Sequence, residues 1–313
     1  MARKRHRSGL GLIESGKNIL DIKITHECNN LCRFCVAGDC RMIAKDLSGD
    51  EIKKRISDNA PSCDGIVFTG GEPTVRPDLP ELVRYARKKC GYKTIIIQTN
   101  GRRMAYKSYL EELLDSGAGQ FSVSIHGHIP ELHEYLTQAK GSFSQTLLAM
   151  CNIIECGAVL ATNTVITKSN CRNLDGIAKL LGSMGVKQMQ FAYPHLEGKA
   201  LVNADNIAPP MTIAAPYVCR AIEAASRHGA LAFTEGFPLC VLGAFKDHAV
   251  ENIHTKRKII DFLGDIEDFH GHRKNCLKKK NDICSDCSLA DICEGPWADY
   301  LERFSGEEFK PQR

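Results

Sequence analysis

The sequence predicts an α/β fold, a partial (β/α)6 TIM-like barrel followed by a small cysteine-rich C-terminal extension. Short β-branched runs alternate with longer amphipathic stretches from about residue 19 to residue 195, which is the pattern of repeated strand–helix units. The pattern ends beyond about residue 198, where Ala208-Pro209-Pro210 breaks the chain. After residue 236 several cysteines occur without clear hydrophobic periodicity. We therefore expect the barrel first and a different module after it.

The elements follow from the spacing of apolar residues. The predicted strands cover residues 19–25, 65–69, 93–99, 120–125, 159–166 and 187–193. The predicted helices cover residues 48–59, 78–90, 106–116, 142–155 and 173–184, and a helix at 211–228 and a short strand at 231–234 come later. Leu79, Leu82, Val83 and Ala86 illustrate the apolar stripe of a helix that covers a sheet.

Local signals mark the ends of several helices. Ser48 precedes Glu51 and Asp78 precedes Glu81 by three residues, the spacing of a capping box. Glycines stand where helix C-termini are expected, at Gly117, Gly157 and Gly185. These signals support the predicted helix boundaries.

Parallel strands joined by right-handed crossovers close into a barrel at about eight units, so six units leave it incomplete. Ligands of such sheets bind beyond the carboxyl ends of the strands. We divide the chain into a basic N-terminal tail (1–18), the partial barrel (19–235) and the cysteine-rich extension (236–313).

Composition limits the class of protein. The 313-residue chain is 43% apolar and 25% charged, as soluble globular proteins are. No apolar stretch reaches the ~18 residues that span a bilayer, and no apolar signal-peptide core follows the basic N-terminus. We therefore expect a cytoplasmic protein without a membrane partner. Fifteen cysteines in such a chain indicate metal ligands or reactive thiols instead of a disulfide framework.

The charge gives little support for nucleic-acid binding. The formal net charge is only +4. Basic runs occur at residues 3–7 and 278–280, but neither contains aromatic side chains, and such runs are usually solvated surface. An anionic partner such as RNA or an acidic peptide is the alternative.

Three closely spaced cysteines follow the first predicted strand. Cys28, Cys32 and Cys35 are separated by three and then two residues. A [4Fe–4S] cluster is normally held by four thiolates, so three would leave one iron open to a non-protein ligand. A zinc site lacking a nearby fourth ligand and a chance cluster are the alternatives.

The second predicted strand ends in an unusual turn, Thr69-Gly70-Gly71-Glu72-Pro73-Thr74. Paired glycines allow a close approach of backbone to a ligand. Glu72 would then face an ammonium group. Taken alone, the motif is more typical of an ordinary βα turn with an exposed glutamate.

The cysteine triplet and this turn together resemble those of the radical S-adenosylmethionine (radical SAM) superfamily, over most of the chain up to about residue 195. The resemblance implies that Cys28, Cys32 and Cys35 ligate a [4Fe–4S] cluster whose open iron is chelated by S-adenosylmethionine through its amino and carboxylate groups. It also implies that Phe34, before the last cysteine, lies near the adenine.

The remaining cofactor contacts are implied by the same resemblance. The segment Gly70-Gly71-Glu72-Pro73 is similar to the family's hydrogen-bonding turn for the methionine amine. Ser124 is the expected contact to the methionine carboxylate or the ribose, and Asn163 the expected ribose partner. His126, His128 and His195 follow strand ends and are further candidates for acid–base roles or, as the alternative, polar loop residues.

The extension contains a second cysteine group. Cys284, Cys287 and Cys293 have the spacing of a metal site. We expect Cys240 as the fourth ligand, with Cys276 as its alternative, and zinc as the alternative metal. The region resembles twitch and SPASM auxiliary-cluster domains, although Trp297 occupies the position where the SPASM pattern has another cysteine. One auxiliary [4Fe–4S] cluster is therefore expected.

The resemblance implies an enzyme that cleaves S-adenosylmethionine to a 5′-deoxyadenosyl radical and abstracts hydrogen from a peptide or small-molecule substrate. An auxiliary cluster suggests net oxidation or bond formation. An external one-electron donor such as ferredoxin or flavodoxin is then required. The alternatives are a radical SAM enzyme that modifies RNA, and a non-catalytic iron–sulfur redox or binding module.

Overall fold

The computed structural model describes residues 18–38, 46–253, 256–262 and 264–313. Its strands are β1 (Asn18–Thr25), β2 (Gly65–Gly70), β3 (Thr94–Thr99), β4 (Gln120–Ser124), β5 (Val159–Val165), β6 (Gln188–Ala192), β7 (Leu231–Glu235) and β8 (Lys256–Ile260). They form a single parallel sheet in the order β7-β6-β5-β4-β3-β2-β1-β8. The predicted tail lies outside the described residues except for Asn18.

Helices connect the strands and cover the outer face of the sheet. They are α1 (Gly49–Asn59), α2 (Leu79–Lys88), α3 (Lys107–Ser116), α4 (Pro130–Thr137), α5 (Ser142–Glu155), α6 (Leu174–Ser183), α7 (Gly198–Val202), α8 (Ala204–Ile207), α9 (Met211–Arg227), α10 (Leu239–Leu242), α11 (Phe269–His272) and α12 (Ala298–Phe304). In the described part of the chain, none is both long and apolar enough to cross a bilayer.

The two faces of the sheet differ in chemistry. Leu20, Ile22 and Ile24 of β1 belong to one large buried cluster that also contains residues of α1 and α2. The alternate residues face inward, where Ile19 packs only with Val67 and Ile96 in a small separate cluster. Because side chains alternate along a strand, this pattern gives an apolar outer face and a largely polar lumen.

The α/β fold class and the partial barrel are confirmed. The sheet is longer than the predicted six strands, because β7 and β8 extend it at opposite edges. β8 comes from residues 256–260, within the segment assigned to the extension, and pairs with β1. Within the described residues β7 and β8 are not paired, so the barrel stays open between them.

One of the two predicted capping boxes is present in the structure and the other is not. Ser48 caps α1 through the reciprocal hydrogen bonds of a capping box with Glu51. Asp78 makes no side-chain cap to α2. Its carboxylate instead accepts hydrogen bonds of 2.9 and 2.7 Å from the Arg76 guanidinium, so the second predicted capping box is wrong. Helix α4 was absent from the prediction, although Pro130 stands at its first turn, where proline favours helix initiation.

Candidate functional site

A cavity of about 350 Å³ opens at the carboxyl ends of the strands. It lies where parallel sheets bind ligands. Its walls include all of the first cysteine group and the cofactor residues predicted above except Pro73, namely Cys28, Cys32, Phe34, Cys35, Gly70, Gly71, Glu72, Ser124 and Asn163. The fold therefore brings together residues that are up to 135 positions apart, from Cys28 to Asn163.

The cysteine loop is braced by two helices. The backbone N–H groups of Leu31 and Arg33 each donate a 2.9 Å hydrogen bond to the last carbonyls of α4, those of Thr137 and Leu136. The N–H of Lys199, in α7, donates to the Cys35 carbonyl at 2.9 Å. Cys28, Cys32 and Cys35 themselves are partly exposed, and none of the described cysteines forms a disulfide. The thiols are therefore held on a fixed loop and remain accessible from the cavity.

The turn after β3 supports the same loop from the opposite side. The Asn100 amide donates to the Asn29 side chain at 2.6 Å and approaches the Cys28 sulfur at 3.9 Å. The Arg102 guanidinium donates to the Asn29 carbonyl and to the Asn30 side chain. The sequence analysis did not identify Arg102, whose role depends on residues more than 70 positions away.

The glycine pair of the second turn allows two backbone segments to meet. Gly70 has φ of +136°, a conformation that L-residues with a side chain rarely adopt. A Cβ on Gly71 would overlap the carbonyl oxygens of His26 and Glu27, at the start of the cysteine loop. The Gly71 N–H donates to the Thr25 carbonyl at 2.7 Å, and the Glu72 N–H to that of Glu27 at 2.7 Å. The glycines thus hold the turn against the cysteine loop.

The Glu72 carboxylate connects the ends of β2 and β3. It accepts hydrogen bonds from the Thr74 N–H at 3.0 Å, the Thr74 hydroxyl at 2.7 Å, the Thr99 hydroxyl at 2.6 Å and the Asn100 N–H at 2.6 Å. Burial raises the pKa of Glu72, and these donors oppose that effect. Pro73 starts the buried 3-10 turn that presents Thr74. The carboxylate expected to face an ammonium group is thus largely engaged by the protein itself.

Ser124 and Asn163 lie opposite each other on neighbouring strands, as partners in the β4–β5 register. Both border the cavity. The Asn163 side-chain oxygen is buried without a hydrogen-bond partner among the described residues. A buried acceptor without a hydrogen bond lowers the stability of the folded protein. A ligand that donates a hydrogen bond to Asn163 would remove this penalty.

An aromatic pair lines the wall nearest the cysteine loop. Phe34 contacts the ring of His126 edge-to-face, with ring centroids 4.6 Å apart. The His126 Nδ1 accepts a 3.2 Å hydrogen bond from the Val165 N–H, so the neutral ring carries its proton on Nε2. Burial and the neighbouring His133 hold the pKa of His126 well below its usual value. His128, by contrast, does not border the cavity.

His195 lies where the cavity meets the extension. It borders the cavity, and its ring lies against Trp297 with centroids 3.7 Å apart. Burial and Lys278 lower the pKa of His195 to about 4. Trp297 is 1% exposed, and its indole N–H donates a 3.3 Å hydrogen bond to the Tyr193 carbonyl. Cys293 of the second cysteine group lies four residues before it. Trp297, which occupies the position where the SPASM pattern has a cysteine, thus forms part of the contact between the barrel and the extension.

The second cysteine group lines one small cavity of about 30 Å³. Its walls contain Cys240, Cys284, Cys287 and Cys293 among apolar side chains. Burial and the three other thiols raise the pKa of Cys240 to about 11. Cys276 is exposed and lies outside this cavity. Within the described ranges, no three His, Cys, Asp or Glu side chains are arranged to hold a single metal ion.

Two buried ion pairs accompany the extension. The Lys278 ammonium, with no exposed side-chain area, lies 2.9 Å from the Glu251 carboxylate and 3.8 Å from the centre of the Trp297 ring. The Arg273 guanidinium pairs with Glu294 at 2.8 Å. Because an unpaired charge is costly in a buried setting, these pairs fix the position of the segments that carry them.

The family model of the radical SAM superfamily matches residues 22–181, about half of the chain. The chain belongs to the radical SAM superfamily. The matched residues contain the cysteine loop, the glycine turn and every strand from β2 to β5. The resemblance inferred from the motifs is thereby confirmed.

Curated relatives support the assignment. Fe-coproporphyrin III synthase of Methanosarcina barkeri is 32% identical over 193 residues, which are 60% of this chain and 47% of the relative. PqqA peptide cyclase of Granulibacter bethesdensis is 31% identical over 194 residues, which are 60% of this chain and 50% of the relative. The chain therefore spans about half the length of the curated relatives it matches.

Solved structures extend the likeness to nearly the whole chain. The structure of Streptococcus suis SuiB bound to its precursor peptide SuiA has a TM-score of 0.66, with 18% identity, and covers 96% of this chain and 76% of SuiB. At this identity the likeness concerns the fold. It includes residues of the extension as well as the barrel.

Proposed function

We propose that this protein is a radical SAM enzyme that acts on a peptide or a small molecule. Cys28, Cys32 and Cys35 would hold a [4Fe–4S] cluster at the mouth of the lumen. When bound there, the cluster and S-adenosylmethionine supply a one-electron cleavage that yields methionine and a 5′-deoxyadenosyl radical able to abstract hydrogen. The observation that carries the proposal is the shared cavity of three accessible thiols and the glycine turn.

The chain's own residues would bind and orient the cofactor. The turn from Gly70 to Pro73 offers backbone groups beside the cysteine loop for the methionine amine, and Glu72 fixes the shape of that turn. Ser124 and Asn163 would contact the ribose or the methionine carboxylate, since both border the cavity on adjacent strands. Phe34 would pack against the adenine, with His126 behind it.

We further propose an auxiliary [4Fe–4S] cluster on Cys240, Cys284, Cys287 and Cys293. Their common cavity supports this ligand set, and the exposure of Cys276 argues against the alternative ligand. Four thiolates leave no open iron, so the chain would use this site to accept an electron and complete a net oxidation. An external one-electron donor, such as a ferredoxin or flavodoxin, would start each turnover.

The decisive experiment is anaerobic reconstitution with iron and sulfide, followed by reduction in the presence of S-adenosylmethionine. We expect release of 5′-deoxyadenosine, measured by chromatography, and a change in the electron paramagnetic resonance signal when S-adenosylmethionine is added. Cys28→Ala should abolish both, whereas Cys151→Ala, an exposed cysteine on α5, should change neither. A wild-type protein with full iron content and no 5′-deoxyadenosine would contradict the proposal.

Iron content tests the auxiliary site separately. Two clusters require about eight irons per chain and one cluster about four. Cys287→Ala should lower the content by about four irons, and Cys276→Ala should leave it unchanged. A wild-type protein that contains about four irons together with zinc would show that the second site is a zinc site.

A further inference from the structure

A second cavity of about 270 Å³ lies deeper in the lumen. It shares Gln98, Asn163 and Glu235 with the wall of the first cavity, so these three residues form the boundary between them. Strand residues that point inward give it polar walls, including Ser122 and Gln190. A small polar group, or one side chain of a peptide, fits a space of this size.

Three cations act electrostatically on Glu235, and each pairs with a carboxylate of its own; two of them, Arg257 and Arg273, line the inner cavity. Arg257 pairs with Asp21 at 2.7 Å across the β8–β1 edge. Arg273 pairs with Glu294 at 2.8 Å, and Lys278 with Glu251 at 2.9 Å. The charges of these six side chains therefore cancel.

Glu235, at the end of β7, is a fourth carboxylate and has no such partner. Its hydrogen bond comes from the neutral Gln190 amide at 2.7 Å, and no cation of the described residues forms an ion pair with it. Burial and the neighbouring Glu251 raise the pKa of Glu235, while Lys278, Arg273 and Arg257 oppose that effect from a distance. A carboxylate removed from water without a counter-charge is destabilising. Among the described residues that line the inner cavity, Glu235 is therefore the carboxyl group without an ion-pair partner.

We propose that Glu235 binds a cationic nitrogen of the substrate, an ammonium or guanidinium group, in the inner cavity. The inference rests on the proposed function, because it takes the inner cavity as the place of the substrate. It narrows the substrate class to molecules or peptide segments that carry a basic nitrogen near the reacting carbon. Gln190 holds the carboxylate in place and leaves its other oxygen for the ligand.

S-adenosylmethionine is itself cationic and is the competing source of positive charge. The methionine end is expected beside the cysteine loop and the β2 turn. Glu235 belongs to β7, six strands from β1 in the sheet order. The inner cavity, which Glu235 also borders, is lined by none of the three cysteines and by none of the residues 70–73 of the β2 turn. This position favours the substrate as the partner of Glu235.

The test uses the full-length, anaerobically reconstituted protein with saturating S-adenosylmethionine. The probes are n-butylammonium and n-butylguanidinium, compared with the neutral butyramide and the anionic butyrate, and binding is measured by calorimetric titration. We expect the cationic probes to bind the wild type at least about tenfold more tightly than butyramide. Glu235→Gln should reduce that ratio to about one, and Glu223→Gln, the same charge change on the exposed face of α9, should leave it unchanged.

The unfolding temperature of Glu235→Gln provides a second test. The glutamine is nearly isosteric and keeps an oxygen for the Gln190 amide, and it removes an unmatched charge. The unfolding temperature should therefore stay the same or rise. A clear fall would show that Glu235 has a cationic partner within the protein and would overturn the inference.

Two other results would overturn it. One is a preference for butyrate or butyramide over the cationic probes. The other is that Glu235→Gln weakens the binding of S-adenosylmethionine, measured by equilibrium dialysis, and keeps the preference for cationic probes. Failure of the wild type to form 5′-deoxyadenosine would contradict the proposed function without changing the probe ratios, so the two failures are distinguishable.

Discussion

The two cysteine groups lie in contrasting surroundings. Cys28, Cys32 and Cys35 occupy a braced loop beside a cavity of about 350 Å³ that continues into the lumen. The four cysteines of the extension enclose about 30 Å³ among apolar side chains. The first group has space for a ligand beside three thiols, and the second has four thiols and little space. This contrast agrees with the proposal that the first site carries out the chemistry and that the second transfers electrons.

The largest expected effect is on the formation of 5′-deoxyadenosine, and it should differ between variants of the two cysteine groups. Cys32→Ala is expected to lower the formation of 5′-deoxyadenosine by at least about 100-fold, because the cluster beside the large cavity is lost. Cys284→Ala should change this cleavage by less than about threefold in the absence of substrate. The measurement is single-turnover cleavage under strong reductant. Equal losses in both variants would remove the distinction between the sites.

The second effect concerns the buried ion pair within the extension. Lys278→Met leaves the Glu251 carboxylate buried without its cation, which should cost about 3–5 kcal/mol of the free energy of unfolding. Lys53→Met breaks an ion pair with the exposed Glu81 and should cost less than about 1 kcal/mol. Urea unfolding followed by circular dichroism gives both values. Similar values for the two variants would show that the buried pair contributes no more to stability than an exposed one.

The third effect concerns the cysteine loop. Gly71→Ala would push a methyl group into the His26 and Glu27 carbonyls and should cost about 2–4 kcal/mol. Gly119→Ala meets no atom within 4 Å and should be neutral or stabilising by up to about 1 kcal/mol. Thermal unfolding of the two variants is the comparison. A tolerated Gly71→Ala would mean that the turn does not need its close backbone approach.

The smallest effect is a dependence on pH at His133, which accepts a hydrogen bond from the N–H of the cavity residue His126. Burial and Arg102 lower the pKa of His133 to about 4, below the ordinary value of 6.5. The unfolded chain therefore binds a proton first, and the folded state loses stability as pH falls from about 6.5 to about 4, by up to about 1.4 kcal/mol per pH unit.

His133→Asn should reduce this slope, because asparagine keeps an acceptor for the His126 N–H but does not titrate. Urea unfolding at a series of pH values between 7 and 4.5 measures the slope in both proteins. The second cysteine group should not influence the result, so Cys284→Ala should retain the wild-type slope. An unchanged slope in His133→Asn would show that His133 is not the group that titrates.

Local patterns revealed much of the barrel and the first cysteine group. The apolar periodicity predicted the strands up to residue 193, and the spacing of Cys28, Cys32 and Cys35 needed no knowledge of the fold. Of the two predicted capping boxes, the one at Ser48 is confirmed and the one at Asp78 is wrong, because Arg76 binds the Asp78 carboxylate. Sequence patterns that extend over about ten residues can be recognised without knowledge of the tertiary structure.

Features that depend on distant contacts were missed. β8 has the sequence Lys-Arg-Lys-Ile-Ile, with only two apolar residues, and becomes a strand by pairing with β1 more than 230 positions earlier. The support that Arg102 gives to the cysteine loop and the hydrogen bond of Glu235 with Gln190 likewise depend on neighbours that only the fold supplies. No local pattern distinguishes these residues from ordinary polar side chains.

The polar inner face of the sheet has a thermodynamic consequence. Ser122, Asn163 and Gln190 border the inner cavity, so a ligand that enters it covers polar groups of the protein. Burial of polar area contributes little to a negative heat-capacity change, in contrast to burial of apolar area. The heat of substrate binding should accordingly vary only slightly with temperature.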